Sequence, residues 1–424
     1  LVHWMLKLGV KFNMSGYDDV DLRNFGGQKK KRTAFAQSDT GKQIMTAMID
    51  AVRRKEASGM VERFSHHSFL TLRLCGNICC GCVIRDEYSQ ETVELPGDAV
   101  IVATGGMHGL FGNTTGSLSN TGEVTAELFR LGVPLANGEM IQYHPTTVKC
   151  GGKRMLISEA ARGEGGRLFA MKDGKQWYFM EEKYPELGNL MPRDITAREI
   201  WKVSHESEVF LDMTEISEEI ISNKLSGLAD DCMTYLHKDI RKEPVSVLPG
   251  IHYFMGGILV DEQHRTPIQN LYAAGECCAQ YHGANRLGGN SLLGALYGGR
   301  VAAKSACEQA DVVDLSCATQ IDFPPASQIS EIKQLNKVMQ ETMGVVRNEN
   351  TLLNGIQTVQ ALTGNLPLLG MAVLKSALAR KESRGAHWRE DYPKSNDDDY
   401  LKTTVARFDG KQIQISFVPV PERR

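Results

Sequence analysis

Residues 282–293, His-Gly-Ala-Asn-Arg-Leu-Gly-Gly-Asn-Ser-Leu-Leu, constrain the fold more than any other stretch of this chain. They follow a strand-like run at 270–276 and precede an apolar helical pattern that begins at Leu292. The segment is therefore a polar, glycine-rich crossing from sheet to helix, and such crossings are where α/β sheets bind ligands. Its glycines let backbone approach a ligand closely. Arg286 supplies a planar fork that matches a carboxylate. Ser291 is placed to cap the following helix, whose free N–H groups attract electron-rich atoms. These residues predict a site for an anionic or heteroaromatic partner.

A second stretch supports an α/β sheet. Residues 98–106, Asp-Ala-Val-Ile-Val-Ala-Thr-Gly-Gly, form a continuous apolar strand ending in small residues. A continuous run suits a parallel strand covered on both faces. Thr104, Gly105 and Gly106 then sit at its carboxyl end, where cofactors bind. From about Thr147 to Pro249 the texture changes to glycine-rich turns, short helices and polar loops, as expected of an inserted domain. With 424 residues the chain is too long for one core. A net charge of -3 gives no reason to expect nucleic acid or a membrane surface as a partner, and no apolar run approaches the roughly 18 residues of a membrane span.

Several elements are legible on either side. Asp39 or Thr40 caps a helix with Ile44, Met45, Met48, Ile49 and Val52 on one side. Gly294, Gly298 and Ala302, four apart, give the helix from Leu292 a smooth strip for close packing. Helical patterns at 327–346, 351–362 and 368–382 predict a C-terminal bundle, and Asp409-Gly410 turns a final hairpin between 400–408 and 412–418. Cys75, Cys79, Cys80 and Cys82 are dense enough to suggest a metal or iron–sulfur site. Alternation over 69–74, a Gly76-Asn77 turn and a returning strand predict instead a hairpin whose cysteines are ordinary strand residues of a reducing compartment, and no residue is assigned to a metal.

The charged candidates divide less clearly. The loop 24–32 carries Phe25, two glycines and a basic run, Lys29 to Arg32, which by itself reads as a solvated face. Glu159 and Arg162 are spaced to pair on one helical face, and Pro192 opens a helix at Arg193. By themselves these charges read as surface ion pairs, and His252 as a satisfied structural histidine.

Taken together and in order, these stretches resemble the flavoprotein subunit of succinate dehydrogenase and fumarate reductase. The matching elements are Ala103-Thr104-Gly105-Gly106, Gln142-Tyr143-His144-Pro145-Thr146, Glu159 with Arg162-Gly163-Glu164-Gly165-Gly166, and Pro192-Arg193-Asp194. They continue through His252-Tyr253, Met255-Gly256-Gly257, Gly275-Glu276, 282–292, and the run 380–387, Arg-Lys-Glu-Ser-Arg-Gly-Ala-His. The resemblance covers nearly the whole chain. It implies an α/β, Rossmann-like FAD-binding domain, an inserted α+β capping domain and a C-terminal helical domain. The expected divisions are 1–146, 147–250, 251–310, 311–390 and a hairpin tail at 391–424, with the FAD-binding domain made of the first and third.

On the matching positions, the resemblance implies that His144, Ser158, His252 and Arg286 hold the carboxylates of a C4 dicarboxylate, with Phe25 also facing it. Ser158 stands where the family usually has Thr. Arg193 is implied as the proton-transfer residue, with Glu159 and Arg162 as its relay. Thr104, Gly105, Gly106, Glu276, Asn290, Ser291 and Leu292 are implied to face FAD, as is Glu123, where the family commonly has Asp. Hydride transfer to or from a C–C bond needs the substrate held within near-attack distance, which clamped carboxylates provide. Cationic clamps also stabilise charge spreading onto a carboxylate.

L-Aspartate oxidase shares much of this set, but its loop carries Glu where this chain has Phe25, and an apolar ring offers nothing to an ammonium. Succinate and fumarate are the favoured substrates, aspartate the alternative. The family's glycine-rich ADP-binding βαβ unit and the histidine that bonds to flavin are not in the sequence, a shortfall of about a hundred residues before Leu1. The helical bundle is also short between Leu362 and Leu366. The chain is thus expected either to be most of an oxidoreductase subunit or to be a non-catalytic fragment. The resemblance further implies an iron–sulfur subunit and membrane anchor subunits as partners, at the inner face of the cell membrane.

Overall fold

The computed structural model describes residues 1–420 except 17, 18, 27, 29, 38, 118, 313–322 and 324–327. Gly27 and Lys29 of the basic loop, and Ser327 at the start of one expected helix, lie outside the described residues. The chain divides into two compact units, 1–64 with 143–250 and 287–293, and 65–142 with 251–286 and 294–424.

In the first unit an antiparallel sheet runs in the order Lys175–Trp177, Arg167–Lys172, Val209–Asp212, Val245–Ser246. Its apolar positions join Ile157, Ala161, Ile200, Leu228 and Ile240 in one core. That core supports two helices that carry candidate residues, Glu159–Gly163 and Arg193–Val203. Ser158 caps the former, its hydroxyl accepting the Ala160 N–H, and Pro192 occupies the N-cap of the latter. The helix Thr40–Ala57 forms as expected, but only Ile44 and Ala47 are buried. Met45, Ile49 and Val52 lie exposed, because the apolar residues span a wide arc of the helix and only its Ile44 edge faces the core.

The second unit contains the parallel pair Val100–Val102 and Leu271–Ala273. Both strands are apolar, as parallel strands require, and Ile101 keeps 40% of its surface exposed among the described residues. The cysteine-bearing hairpin is present as His67–Cys75 and Ile78–Asp86, extended by Thr92–Pro96. Cys79 and Cys80 are buried in it. A four-stranded sheet runs Gly257–Ile258, Leu135–Ala136, Lys402–Phe408, Ile413–Pro419, with Asp409-Gly410 at the hairpin turn. Helices Ile329–Thr342, Glu349–Val359 and Asn365–Ala379 form the bundle.

Helix Asn290–Gln309 starts two residues before the apolar pattern does, so Ser291 lies inside the first turn and is not the cap. Gly294, Gly298 and Ala302 are buried along it. A Cβ at Gly298 would collide with the Tyr281 hydroxyl and His264, which is why the strip must be smooth. Among the described residues no helix is long and apolar enough to cross a membrane.

Candidate active site

In the first unit the acidic and basic residues expected to pair do so in the interior. Both oxygens of Glu159 are engaged. Oε1 accepts the Gly26 N–H at 3.0 Å and Arg162 Nη2 at 3.3 Å. Oε2 accepts Arg193 Nε at 3.0 Å and Nη2 at 2.6 Å. Side-chain exposures of 1% for Glu159, 0% for Arg162 and 7% for Arg193 overturn the reading of these charges as surface pairs. Burial alone pushes the Glu159 carboxyl up, but the charges of Arg193 and Arg162 and the hydrogen bonds outweigh it and leave the group below the usual carboxylate range. Burial pushes Arg162 down, against the attraction of Glu159. Arg162 Nη1 also donates to the Asn189 carbonyl at 2.6 Å.

Two glycines make this arrangement possible. A Cβ at Gly26 would overlap Glu159 Oε1, and one at Gly288 would come within 2.7 Å of Glu159 Oε2 and of Phe25. Phe25 is buried, and the Arg23 guanidinium lies 5.1 Å from its ring. Gln28 links the same loop to the Gly288 carbonyl at 3.0 Å. The described part of the basic run, Lys30 to Arg32, is exposed, so the loop has a buried end and a solvated end. His144 is buried on strand Ile141–Cys150, with Nδ1 3.1 Å from the Thr146 carbonyl. Asn290, Ser291 and Leu292 form the first turn of their helix.

The second unit holds the other candidates. His252, on strand Leu248–Phe254, has Nδ1 2.8 Å from Thr115 Oγ1. Next to it, Tyr253 presents its ring to the buried Arg286, whose Cζ is 4.5 Å from the ring centroid. Gln142 Nε2 donates to the Arg286 carbonyl at 2.7 Å. Glu276 Oε1 accepts the Phe254 N–H at 3.0 Å and lies 3.7 Å from His108 Nε2. Burial pushes the Glu276 carboxyl up to about 7 and the His108 imidazole down to about 4.

At the end of strand Val100–Val102 a cavity of about 420 Å³ is lined by residues 103–105 and 119–122 with Val124. Gly105 adopts φ +74, and a Cβ on Gly106 would strike Phe254 and Glu276 Oε1. Cβ-free backbone at a strand's carboxyl end, beside a carboxyl group held partly neutral, fits a flat heteroaromatic cofactor. Glu123 is exposed at the start of helix Glu123–Arg130, paired with Thr121, and is not part of that lining.

Sequence reading missed the contacts of Gly26 with Glu159, Thr115 with His252 and Tyr253 with Arg286. Gly26 acts through a backbone N–H and Thr115 through a loop hydroxyl, neither of which has a sequence signature.

Comparisons with known proteins show what the whole chain is similar to. A family model described as FAD binding domain matches residues 1–292, and one described as fumarate reductase flavoprotein C-term matches 362–423. The succinate dehydrogenase flavoprotein subunit of Bacillus subtilis is 35% identical, over 100% of this chain and 83% of that protein. The 8-methylmenaquinol:fumarate reductase flavoprotein subunit of Wolinella succinogenes is 31% identical, over 100% and 78%. A solved Escherichia coli quinol fumarate reductase flavoprotein superposes with a TM-score of 0.88 at 26% identity, covering 99% of this chain and 81% of that one.

Proposed function

Because the chain belongs to the family of succinate dehydrogenase and fumarate reductase flavoprotein subunits, FAD-dependent oxidoreductases, we propose that it interconverts succinate and fumarate. The observation that carries this reading is the buried Arg193–Glu159–Arg162 cluster.

FAD, when bound, would supply the hydride chemistry of the reaction. Thr104, Gly105, Gly106 and Glu276 are the residues that would hold it, with Asn290, Ser291 and Leu292. His144, Ser158, His252 and Arg286 bind the two carboxylates, and Phe25 offers an apolar surface to the carbons between them. Locking a small diacid at both ends fixes which carbon meets which group. Arg193 exchanges the proton at the adjacent carbon. Glu159 serves this step in two ways. Its Oε2 grips Nε and Nη2 at once, which holds the guanidinium plane, and its charge keeps a proton source at hand. Arg162, fixed to Glu159 and the Asn189 carbonyl, completes the relay. An iron–sulfur partner subunit, with membrane anchor subunits at the inner membrane face, would be the electron partner.

Arg193→Ala tests the reading: flavin content stays at the wild-type level while succinate oxidation and fumarate reduction both fall below detection. Wild-type-like turnover in that variant refutes the assignment. Assays of the flavin-loaded protein with succinate, fumarate and aspartate decide the substrate. Phe25 in place of an acidic side chain favours the first two, and preferential oxidation of aspartate would overturn the reading.

A further inference from the structure

Arg286 is long and flexible, so as a clamp it holds one direction only if the backbone beneath it is fixed. Two hydrogen bonds fix that backbone. Gln142 Nε2 donates to the Arg286 carbonyl at 2.7 Å and to Asn285 Oδ1 at 2.9 Å. Two residues earlier, the Ala386 N–H donates to the Ala284 carbonyl at 2.9 Å. Gly385 has φ +54, and a Cβ there would run into the Ala284 carbonyl, so the turn at 384–387 lies backbone to backbone on this segment. Met140, Tyr253 and Met255 pack with Ala284 and Ala386, which places the ring under Arg286 on the same support.

The turn is held from behind. Arg384 and His387 exchange backbone hydrogen bonds of 2.8 and 3.0 Å. Arg347 Nη1 donates to His387 Nδ1 at 2.9 Å. A guanidinium can only donate, so Nδ1 is the acceptor and the ring proton sits on Nε2, 3.2 Å from the Arg380 carbonyl that receives it. Arg347 Nη1 also donates to the Glu139 carbonyl at 2.8 Å, three residues before Gln142. One buried guanidinium thus anchors both arms, through His387 to Ala284 and through Glu139 to the strand carrying Gln142.

We propose that His387 and Gln142 are positioning residues for the dicarboxylate, acting through Arg286, with Arg347 as their common anchor. The proposal rests on the assignment of Arg286 as a carboxylate ligand.

The test is equilibrium dialysis of radiolabelled succinate against the flavin-loaded protein, with flavin content read in parallel by absorbance. His387→Ala and Gln142→Ala each weaken succinate binding roughly tenfold, the size of coupling found between residues of one network, at wild-type flavin content. His387→Gln restores binding, since its amide accepts from Arg347 and donates to the Arg380 carbonyl. In an Arg286→Ala background neither alanine change weakens binding further, which a general loosening of the fold would not reproduce. Unchanged affinity in Gln142→Ala and His387→Ala, or an equal loss with and without Arg286, overturns the proposal. Should His387→Ala not fold, the cycle with Gln142→Ala decides alone. Arg286→Ala that binds succinate as the wild type does sinks the clamp assignment itself, an outcome distinct from failure of the positioning role.

Discussion

Glu159 sits between two guanidinium groups and a backbone N–H, all inside the protein. Its folded carboxyl is held below the usual range, so the stability it contributes is present at neutral pH and fades as pH falls below about 4.5 toward the folded value. Glu159→Gln leaves two buried cations without their counter-charge and lowers the melting temperature at pH 7. The gap to wild type narrows toward pH 4, and a gap constant with pH would show that the charge is not what matters. Turnover of the variant falls by roughly 10²- to 10⁴-fold, as for loss of a proton-transfer group. Glu276 has the opposite sign. Its folded value of about 7 lies above the unfolded 4.5, so the native state holds more protons between them and stability declines as pH rises through that window. In flavin-free protein Glu276→Gln removes this slope and gains up to about 3 kcal/mol at pH 8 but nothing at pH 4. Melting curves across pH 4–8 report both effects. The spacing of Glu159, Arg162 and Arg193 was legible because each carries its charge in a recognisable motif, whereas their burial depends on Gly26 and Gly288, distant in sequence, leaving them room.

At the scale of elements, periodicity located helices well and their packing faces less well. Gly294, Gly298 and Ala302 marked a close-packed side because small residues four apart leave a groove that only another group can fill. Gly298 faces Tyr281, whose hydroxyl accepts the Gly275 N–H at 3.0 Å, so displacing that ring also disturbs the turn after strand Leu271–Ala273. Gly298→Ala is expected to destabilise the protein by about 1–3 kcal/mol through overpacking. Gly299→Ala, whose Cβ would meet nothing within 4 Å among the described residues, gains up to about 1 kcal/mol of helix propensity. Denaturant titration of the two variants separates the packing effect from the propensity effect. Equal responses would mean that the glycine strip is incidental. By contrast Met45, Ile49 and Val52, which share one side of their helix with Ile44, lie exposed, because a periodic pattern gives the angular spread of apolar residues but not which part of it faces the core.

Across the molecule, the C-terminal region contributes through a buried polar network whose members lie far apart in the sequence. Arg380 Nε donates to Glu139 Oε1 at 2.7 Å, Nη1 to Glu382 Oε1 at 2.7 Å and to the Tyr400 carbonyl at 2.8 Å, and Nη2 to the Lys402 carbonyl at 2.8 Å and Thr404 Oγ1 at 2.7 Å. One guanidinium thereby ties the end of helix Asn365–Ala379 to the first strand of the final hairpin and to the residues following Leu135–Ala136. Residues 380–387 stood out in the sequence as a motif, but its role was not legible there, since the partner Glu139 is 241 positions away. Arg380→Ala strips a buried carboxylate of its counter-charge and leaves several acceptors without donors, so a cost of about 3–5 kcal/mol is expected. The exposed Arg407, which donates to Ser416 Oγ at 3.4 Å, changes stability by less than about 0.5 kcal/mol when replaced by Ala. Because the network ends on strand Lys402–Phe408, hydrogen exchange in Arg380→Ala is expected to accelerate first at the amides of Val405 and Ala406. Exchange that speeds uniformly across the protein would instead place Arg380 in the global core, with no special hold on the hairpin.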